Sequence, residues 1–341
     1  SLDHCFHFTI IFTNLTNRAV NAINFILYIK ACMLYRFLCH IFCTMVLLTM
    51  GLSIHGQDSS VAHVNTKKWV LGGVQAGLWG GTFYSLNKTW YADYPRSDFH
   101  FYNDWKEWQQ MDKAGHAWSS YQISNHTSKI WQWAGMEKKK AVMIGGISGM
   151  AYLSIIEILD GYSDKWGFSI PDILANSAGA GIYAAQELGW NEQRITIKLS
   201  YSPYRYGALT TRANALFGSG DVEKVLKDYN GQTYWASVNI KSFFPESHFP
   251  RWFNIALGYG ASTMLGGYEN TWTTASGMTI NRSDIPRYKR FYLSADIDLT
   301  RIKTKNKTLK TVFSLVNVLK IPAPALEWNG LGKVRFHPYF Y

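Results

Sequence analysis

The sequence predicts an α+β protein, with an N-terminal four-helix bundle-like domain followed by an antiparallel strand-rich C-terminal region. Three observations carry this. From about Lys68 to Trp190 apolar residues recur at helical spacing, and after Asn191 they alternate with polar ones as in half-buried strands. Helix-start patterns, Asp104 with Glu107 and Ser169 with Asp172, stand ahead of two of the helical segments. The change of period divides the chain into an upstream segment and signal peptide (1–56), a helical domain (57–190) and a strand-rich region (191–341).

Met33 to Gly56 reads as a secretory signal peptide. Arg36 is the basic start, Phe37 to Leu52 the apolar stretch, and Ser53-Ile54-His55-Gly56 a small-residue cleavage region. The apolar stretch is shorter than the roughly 20 residues that a transmembrane helix needs. Residues 1–32 precede Met33 and read as upstream sequence outside the mature protein. All four cysteines, Cys5, Cys32, Cys39 and Cys43, fall in this leading part, so the mature chain relies on its core without disulfides. No cysteine closely follows Gly56, and a lipoprotein signal is not read. The expected location is periplasmic, associated with the outer or inner membrane.

The formal charge of +11 points, in an exported protein, to anionic membrane lipid or another envelope protein as partner and not to nucleic acid. Oligomeric state is not legible.

The first helix is expected over about Trp69 to Leu86, where Gly73, Gly77 and Gly81 form a smooth stripe for a neighbouring helix. An aromatic connection from Trp90 to Tyr102 is broken by Pro95. The second helix is expected from Asp104 to about Trp133, which sets Asp112 inside it and not at its cap. The third, about Glu137 to Asp160, holds the uncharged run Ala141 to Ile156. The fourth starts at Ser169, has Pro171 in its first turn and continues to about Leu188. Their apolar runs, interrupted by Gln75, Tyr152 or Ser177, suit burial against protein better than full membrane spans, while fourteen tryptophans keep an interfacial position open.

About five strands are expected, at Ile195 to Leu199, Tyr234 to Ile240, Phe253 to Tyr259, Phe291 to Leu299 and Val334 to Tyr341. That is short of the eight of the smallest bacterial outer-membrane barrel, so a sheet packed on or beside the helices is expected. Leu309 to Leu319 is helical and ended by Pro322 and Pro324. The basic stretches Arg282 to Arg290 and Lys303 to Lys310 read as solvated charge.

Three polar pairs mark a candidate centre: Asp112 with His116, Glu157 with Asp160, and Asp172 with Asn176. Each pair has the spacing that puts two residues on one helix face. The third helix carries its charges against its dipole, with Lys138, Lys139 and Lys140 at the positive end and Glu157 and Asp160 at the negative end. Those acids therefore need partners, such as a cation, protonated His116 or hydrogen-bond donors. Each pair also has a structural reading: a hydrogen bond for Asp112 and His116, an N-terminal cap for Asp172, an inter-helix bond for Asn176. No His-x3-His or cysteine cluster signals zinc, and no nucleophile elbow, phosphate loop or dinucleotide fingerprint occurs. Cofactor and metal stay unassigned.

Asp112-Lys113-Ala114-Gly115-His116, Glu157-Ile158-Leu159-Asp160-Gly161 and Asp172-Ile173-Leu174-Ala175-Asn176-Ser177-Ala178-Gly179 together resemble the motif series of the YfiM-like family of uncharacterised envelope proteins. More distantly the series is similar to the VanZ-like helical membrane proteins. The segments Lys227 to Trp235 and Ile321 to Glu327 resemble a Bacteroidetes-type long version with a C-terminal extension. The resemblance implies an envelope location and no established activity. Two functions are carried forward. One is a membrane-associated structural or binding protein with a polar Asp/His/Glu/Asn centre; the other is a cation-dependent envelope hydrolase or transferase acting on a lipid- or phosphate-bearing substrate.

Overall fold

Four long helices come first in the computed structural model, which describes residues 61–87, 91, 94–274 and 276–340. The signal-peptide and upstream readings lie outside the described residues. The architecture that follows is that of the unit formed by residues 59–219 and 223–341. The helices are α1 (Val61–Leu86), α2 (Met111–Trp133), α3 (Lys138–Gly161) and α4 (Ile170–Gly189). After them come β1 (Ile195–Tyr201), α5 (Thr210–Phe217), α6 (Asp221–Lys227), β2 (Gln232–Asn239), α7 (Ile240–Phe243), β3 (Phe253–Ser262), β4 (Thr271–Thr273) and β5 (Thr279–Asn281). The chain ends through β6 (Tyr288–Ile297), α8 (Lys307–Val316), β7 (Ala323–Asn329) and β8 (Val334–Phe340). The class is α+β, with the helices first and an antiparallel sheet after them.

Helix α2 begins seven residues beyond the Asp104 start signal. Trp108, Gln109 and Gln110 have positive φ angles of 48°, 54° and 60°, which interrupt a right-handed helix. The stretch is tethered by Trp108 N donating to Gly267 O at 2.7 Å and by the Tyr259 hydroxyl on Gln109 O. The Asp104 carboxylate faces Lys113 and Ser169 instead of capping the helix. Asp112 lies inside α2 and is not its cap, as expected, and it falls in the first turn, where the helix dipole favours a carboxylate. At α4 the Ser169 hydroxyl does cap, accepting from Asp172 N at 3.1 Å, with Pro171 in the first turn.

Helices α2, α3 and α4 pack tightly because glycine on one meets backbone of another. A β-carbon on Gly179 would lie 2.1 Å from Ala117 O, and one on Gly149 would lie 2.5 Å from Ser120 O. Buried Ser120, Ser124 and Ser128 keep the facing surface of α2 equally small, while Tyr121, Val142 and Tyr183 fill the core beside them. The stripe Gly73, Gly77 and Gly81 does not work this way. Among the described residues no atom beyond the helix's own neighbouring backbone lies within 4 Å of a β-carbon built on any of the three, and α1 packs through Gln75, Trp79 and Phe83 on Trp131, Ser148 and Tyr152.

Six strands form one antiparallel sheet in the order β1-β2-β3-β6-β7-β8, and β4 pairs with β5 separately. Three strands lie beyond the expected set: β7 continues through Pro324, and β4 and β5 have only three residues each. The alternation read from sequence is present, but the buried phase is the polar one. Along β3, Asn254, Ala256 and Gly258 are buried while Ile255 and Leu257 are exposed. Along β6, Tyr292, Ser294 and Asp296 are buried while Phe291 and Leu293 are exposed. Residues in register continue the apolar face outward as Leu257, Leu293, Leu326 and Phe336, with Tyr259, Phe291, Trp328 and Val334 in the next row. This face is covered where Leu199 of β1, Tyr234 of β2 and Ala261 of β3 pack with Met111 of α2.

The polar face closes on itself. A flat sheet would separate β2 from β8 by about 19 Å, four strand spacings. The rings of Trp235 and Phe340 nevertheless lie 5.9 Å apart between centroids. Lys198 of β1 reaches Asp296 of β6 at 2.8 Å with both side chains fully buried, and the segment at Leu319 pairs in parallel with Leu199. The strand region is thus a sheet rolled around a core of Lys198, Asp296, Ser237, Asn254 and Trp235, joined by Ser237 Oγ donating to Asp296 Oδ2 at 2.6 Å and Asn254 Nδ2 to Ser237 Oγ at 2.8 Å.

The outward sides of α3 and α4 are apolar too, with Met143, Ile147, Met150 and Ile158 exposed on one and Ile170, Leu174 and Ile182 on the other. Among the described residues α3 is the one helix long and apolar enough to cross a membrane, and only 33% of its most apolar window is buried. Burial against protein therefore does not account for these side chains. Nor are all the basic residues of 282–290 solvated: Arg287 and Arg290 are part-buried and donate to carbonyls of Gly267, Asn230 and Ala261.

Two glycine substitutions separate packing from propensity. Gly179→Ala is expected to destabilise by about 1–3 kcal/mol through overpacking against Ala117, whereas Gly77→Ala, in open space, stabilises by roughly 0.5–1 kcal/mol. Urea unfolding of the two variants beside the parent checks both signs.

Candidate functional site

Lys113, one residue after Asp112, is the hub of the polar centre. Its Nζ lies 2.6 Å from Asp104 Oδ2, 3.0 Å from Asp112 Oδ2 and 2.9 Å from Asp172 Oδ1, and its side chain is 8% exposed. Toward Asp172 the hydrogen bond itself runs to Oδ2 at 3.1 Å, because Oδ1 is close but poorly aligned. Burial lowers the ammonium's affinity for its proton, but Asp112 and Asp172 more than reverse this, and Lys113 is held firmly charged. Ser169 Oγ donates to Asp104 Oδ1 at 2.6 Å, so the hydroxyl that caps α4 also fixes the carboxylate that Lys113 uses.

His116 stands one turn further along α2, on the same face as Asp112. Its Nδ1 lies 3.0 Å from Asn176 Oδ1 of α4, and an amide oxygen only accepts, so Nδ1 is the donor. Its Nε2 faces three carboxylate oxygens at 3.6 Å (Glu157 Oε1), 3.8 Å (Asp112 Oδ1) and 3.9 Å (Asp172 Oδ1). Asp112 Oδ1 in addition accepts from the Tyr229 hydroxyl at 2.8 Å. Five of the six residues singled out by spacing thus surround one point between α2, α3 and α4. Asp160 stands apart and accepts from Tyr91 Oη at 2.7 Å.

The reversed charges of α3 have partners of two kinds. Lys138 Nζ reaches Glu187 Oε2 and Asn191 O, each at 2.8 Å, so the N-terminal ammonium is satisfied by α4 and its end. Glu157 points inward, 2% exposed, toward His116.

The electrostatics follow from crowding carboxylates around few cations. Burial raises Glu157 to about 8, with His116 pulling down and Asp172, Asp160 and Asp112 pushing up. Burial raises Asp160 to about 6 and Glu107 to about 7. Asp172 is raised by burial and by Asp112. Burial acts upward on Asp112 as well, but His116 and Lys113 outweigh it and hold the carboxylate below the usual range. Burial pulls His116 down; Asp112, Asp172 and Glu157 overcome this and lift it to about 9. The centre can therefore hold a proton or a cation among carboxylates on three helices.

Lys113, Asp104, Tyr229 and Tyr91 belong to this arrangement, although spacing did not single them out for it. Lys113 carried a signal, being a cation between Asp112 and His116 at the start of a helix whose next basic side chain is Lys129. Asp104 read as a cap. Tyr229 and Tyr91 reach the centre by tertiary contact and left no local signal.

Fold and centre together define a class: a helical bundle with a buried acid, lysine and histidine cluster, joined to a rolled antiparallel sheet. Residues 100–186, which contain all six residues of the three pairs, match a family model described as predicted periplasmic lipoprotein (DUF2279), a family of unknown function. The match supports an exported, periplasmic location. The matched segment contains no cysteine. Neither a curated protein nor a solved structure matches the chain.

A pH dependence follows. The folded-state value of about 9 for His116 lies above its ordinary 6.5, so its stabilising contribution is full below pH 6.5 and is lost as pH rises through 9. Glu157, at about 8 instead of 4.5, acts in the same direction, since the folded state holds its proton more tightly. Urea unfolding in EDTA-containing buffer should show stability falling from pH 6.5 to 9, with a shallower fall for His116→Gln. Stability constant across that range would contradict the assigned geometry.

Proposed function

We propose that this chain is a periplasmic protein seated at a membrane of the cell envelope, with the polar centre locking its helices and the apolar outer faces of sheet and bundle resting in lipid. One observation carries the reading: the rolled sheet turns a face of large apolar residues outward, while its inside holds buried charges beside the cluster of Trp235, Tyr292 and Phe340. Leu257 is 52% exposed and Phe336 67%, while Lys198 and Asp296 are fully buried. In water the opposite phase is favoured by roughly 25 cal/mol per Å² of apolar surface. In hydrocarbon the observed phase is the favoured one, as on the lipid side of membrane barrels.

The exposed stripes Met143, Ile147, Met150 and Ile170, Leu174, Ile182 support the same environment for the bundle. Lys333 and Arg335, exposed beside Val334 and Phe336, suit anionic head groups at the rim. Six strands are fewer than a transmembrane barrel of bacterial type uses, so the sheet is read as lipid-facing and not as a pore. The finer resemblance to the YfiM-like and VanZ-like series rests on the same three pairs and belongs to this proposal.

Flotation with vesicles of purified anionic and zwitterionic phospholipid tests it, with no other protein present. The parent chain is expected to rise with the vesicles. Leu257→Lys and Leu293→Lys should each lower the bound fraction at least about tenfold, because a charge at hydrocarbon depth costs about 2–4 kcal/mol. A parent chain that stays folded, soluble and separate from vesicles of either composition would refute the membrane seat.

A further inference from the structure

We propose that His116, Asp112, Glu157 and Asp172 form a binding site for one divalent metal ion, with Zn²⁺ the ion of best fit, which clamps α2, α3 and α4 together.

Three of the donors are already gathered, and Glu157 stands beside His116. His116 Nε2 lies 3.6 to 3.9 Å from one oxygen of each carboxylate, beyond hydrogen-bond reach of all three. Donors of Asp112, His116 and Asp172 all fall within 4.8 Å of one another. Ligands held about 2.0–2.2 Å from a tetrahedral zinc ion sit roughly 3.3–3.6 Å apart, so the carboxylates close on the ion by a contraction of up to about 1.5 Å. Nδ1 of His116 is committed as donor to Asn176 Oδ1, which turns Nε2 toward the carboxylates. An imidazole oriented by a hydrogen bond on its other nitrogen is the usual arrangement of a metal-binding histidine.

One further observation points to a ligand. Asp172 is 3% exposed, and its Oδ1, which faces Nε2, makes no hydrogen bond beyond its ion pair with Lys113 at 2.9 Å. Charge balance agrees: Asp104, Asp112, Glu157 and Asp172 share Lys113 and His116, and Lys113 occupies the Asp104 side of the cluster. A doubly charged ion on the His116 side offsets the excess. One imidazole with three carboxylates suits Zn²⁺ or Mn²⁺ better than a soft ion, and four donors favour zinc.

The test uses the full chain in detergent, stripped with a chelator, desalted and then titrated with ZnCl₂ or CoCl₂. One equivalent of Zn²⁺ should remain after gel filtration, the melting temperature should rise with Zn²⁺ concentration, and the Co²⁺ form should show the visible absorption of a four-coordinate ion. Glu157→Gln should weaken binding at least about tenfold and Asn176→Leu about 10–100-fold, while His116→Ala should remove the Co²⁺ band. Retention below about a tenth of an equivalent by the folded parent chain would overturn the site, since a structural ion binds far more tightly than that. Undiminished binding in both Glu157→Gln and His116→Ala, each with parental circular dichroism, would overturn it equally by placing the ion elsewhere.

Discussion

A buried ammonium without a carboxylate beside it costs several kcal/mol, and both halves of this protein are arranged around avoiding that penalty. In the bundle, Lys113 draws Asp104, Asp112 and Asp172 to one point, which joins the segment before α2, the start of α2 and the start of α4. In the sheet, Lys198 reaches across β2 and β3 to Asp296, and this is possible only because the strands roll. Removing one partner from such a pair costs about 3–5 kcal/mol, since the other charge is left buried and alone. The two lysines therefore constrain geometry more than they add stability.

Once polar groups occupy the inside, apolar side chains must occupy the outside. Leu257, Leu293, Leu326 and Phe336 lie in register across four strands on the convex face. In the bundle the same logic appears with glycine and serine at the helix contacts. Gly149 and Gly179 let backbones approach and leave the larger residues Ile147, Met150 and Leu174 to face outward. Small residues inside and large apolar residues outside are the pattern of helices that pack in lipid, where burial of apolar surface does not drive association.

Much of the fold was legible because period is a local property. The helical and strand segments, the Ser169 cap and the end of the last helix ahead of Pro322 could all be read from neighbouring residues. Which strand face turns inward could not, because the alternation of Ile255 and Leu257 with Asn254 and Ala256 looks the same in either case; the Lys198 and Asp296 pairing across the sheet decides it. The left-handed stretch Trp108 to Gln110 was hidden because none of its residues is a glycine or asparagine, and β7 because Pro324 argues against a strand. At the centre, spacing placed Asp112 and His116 on one helix face, but the approach of Glu157 and Asp172 depends on glycine contacts between helices. The role of Asp104 was misread for a related reason: its local pattern is that of a cap, and a lysine nine residues away overrides it.

The central claim, that the apolar convex face of the sheet meets hydrocarbon, is tested most directly by a single cysteine on that face. Leu257→Cys, in a chain whose leading cysteines are absent, would be labelled with a polarity-sensitive fluorophore and mixed with phospholipid vesicles. The account predicts a blue-shifted emission on vesicle addition, quenched by spin labels on the acyl chains and shielded from iodide. Emission that stays red-shifted and open to iodide in the presence of vesicles, with the protein folded, would contradict it.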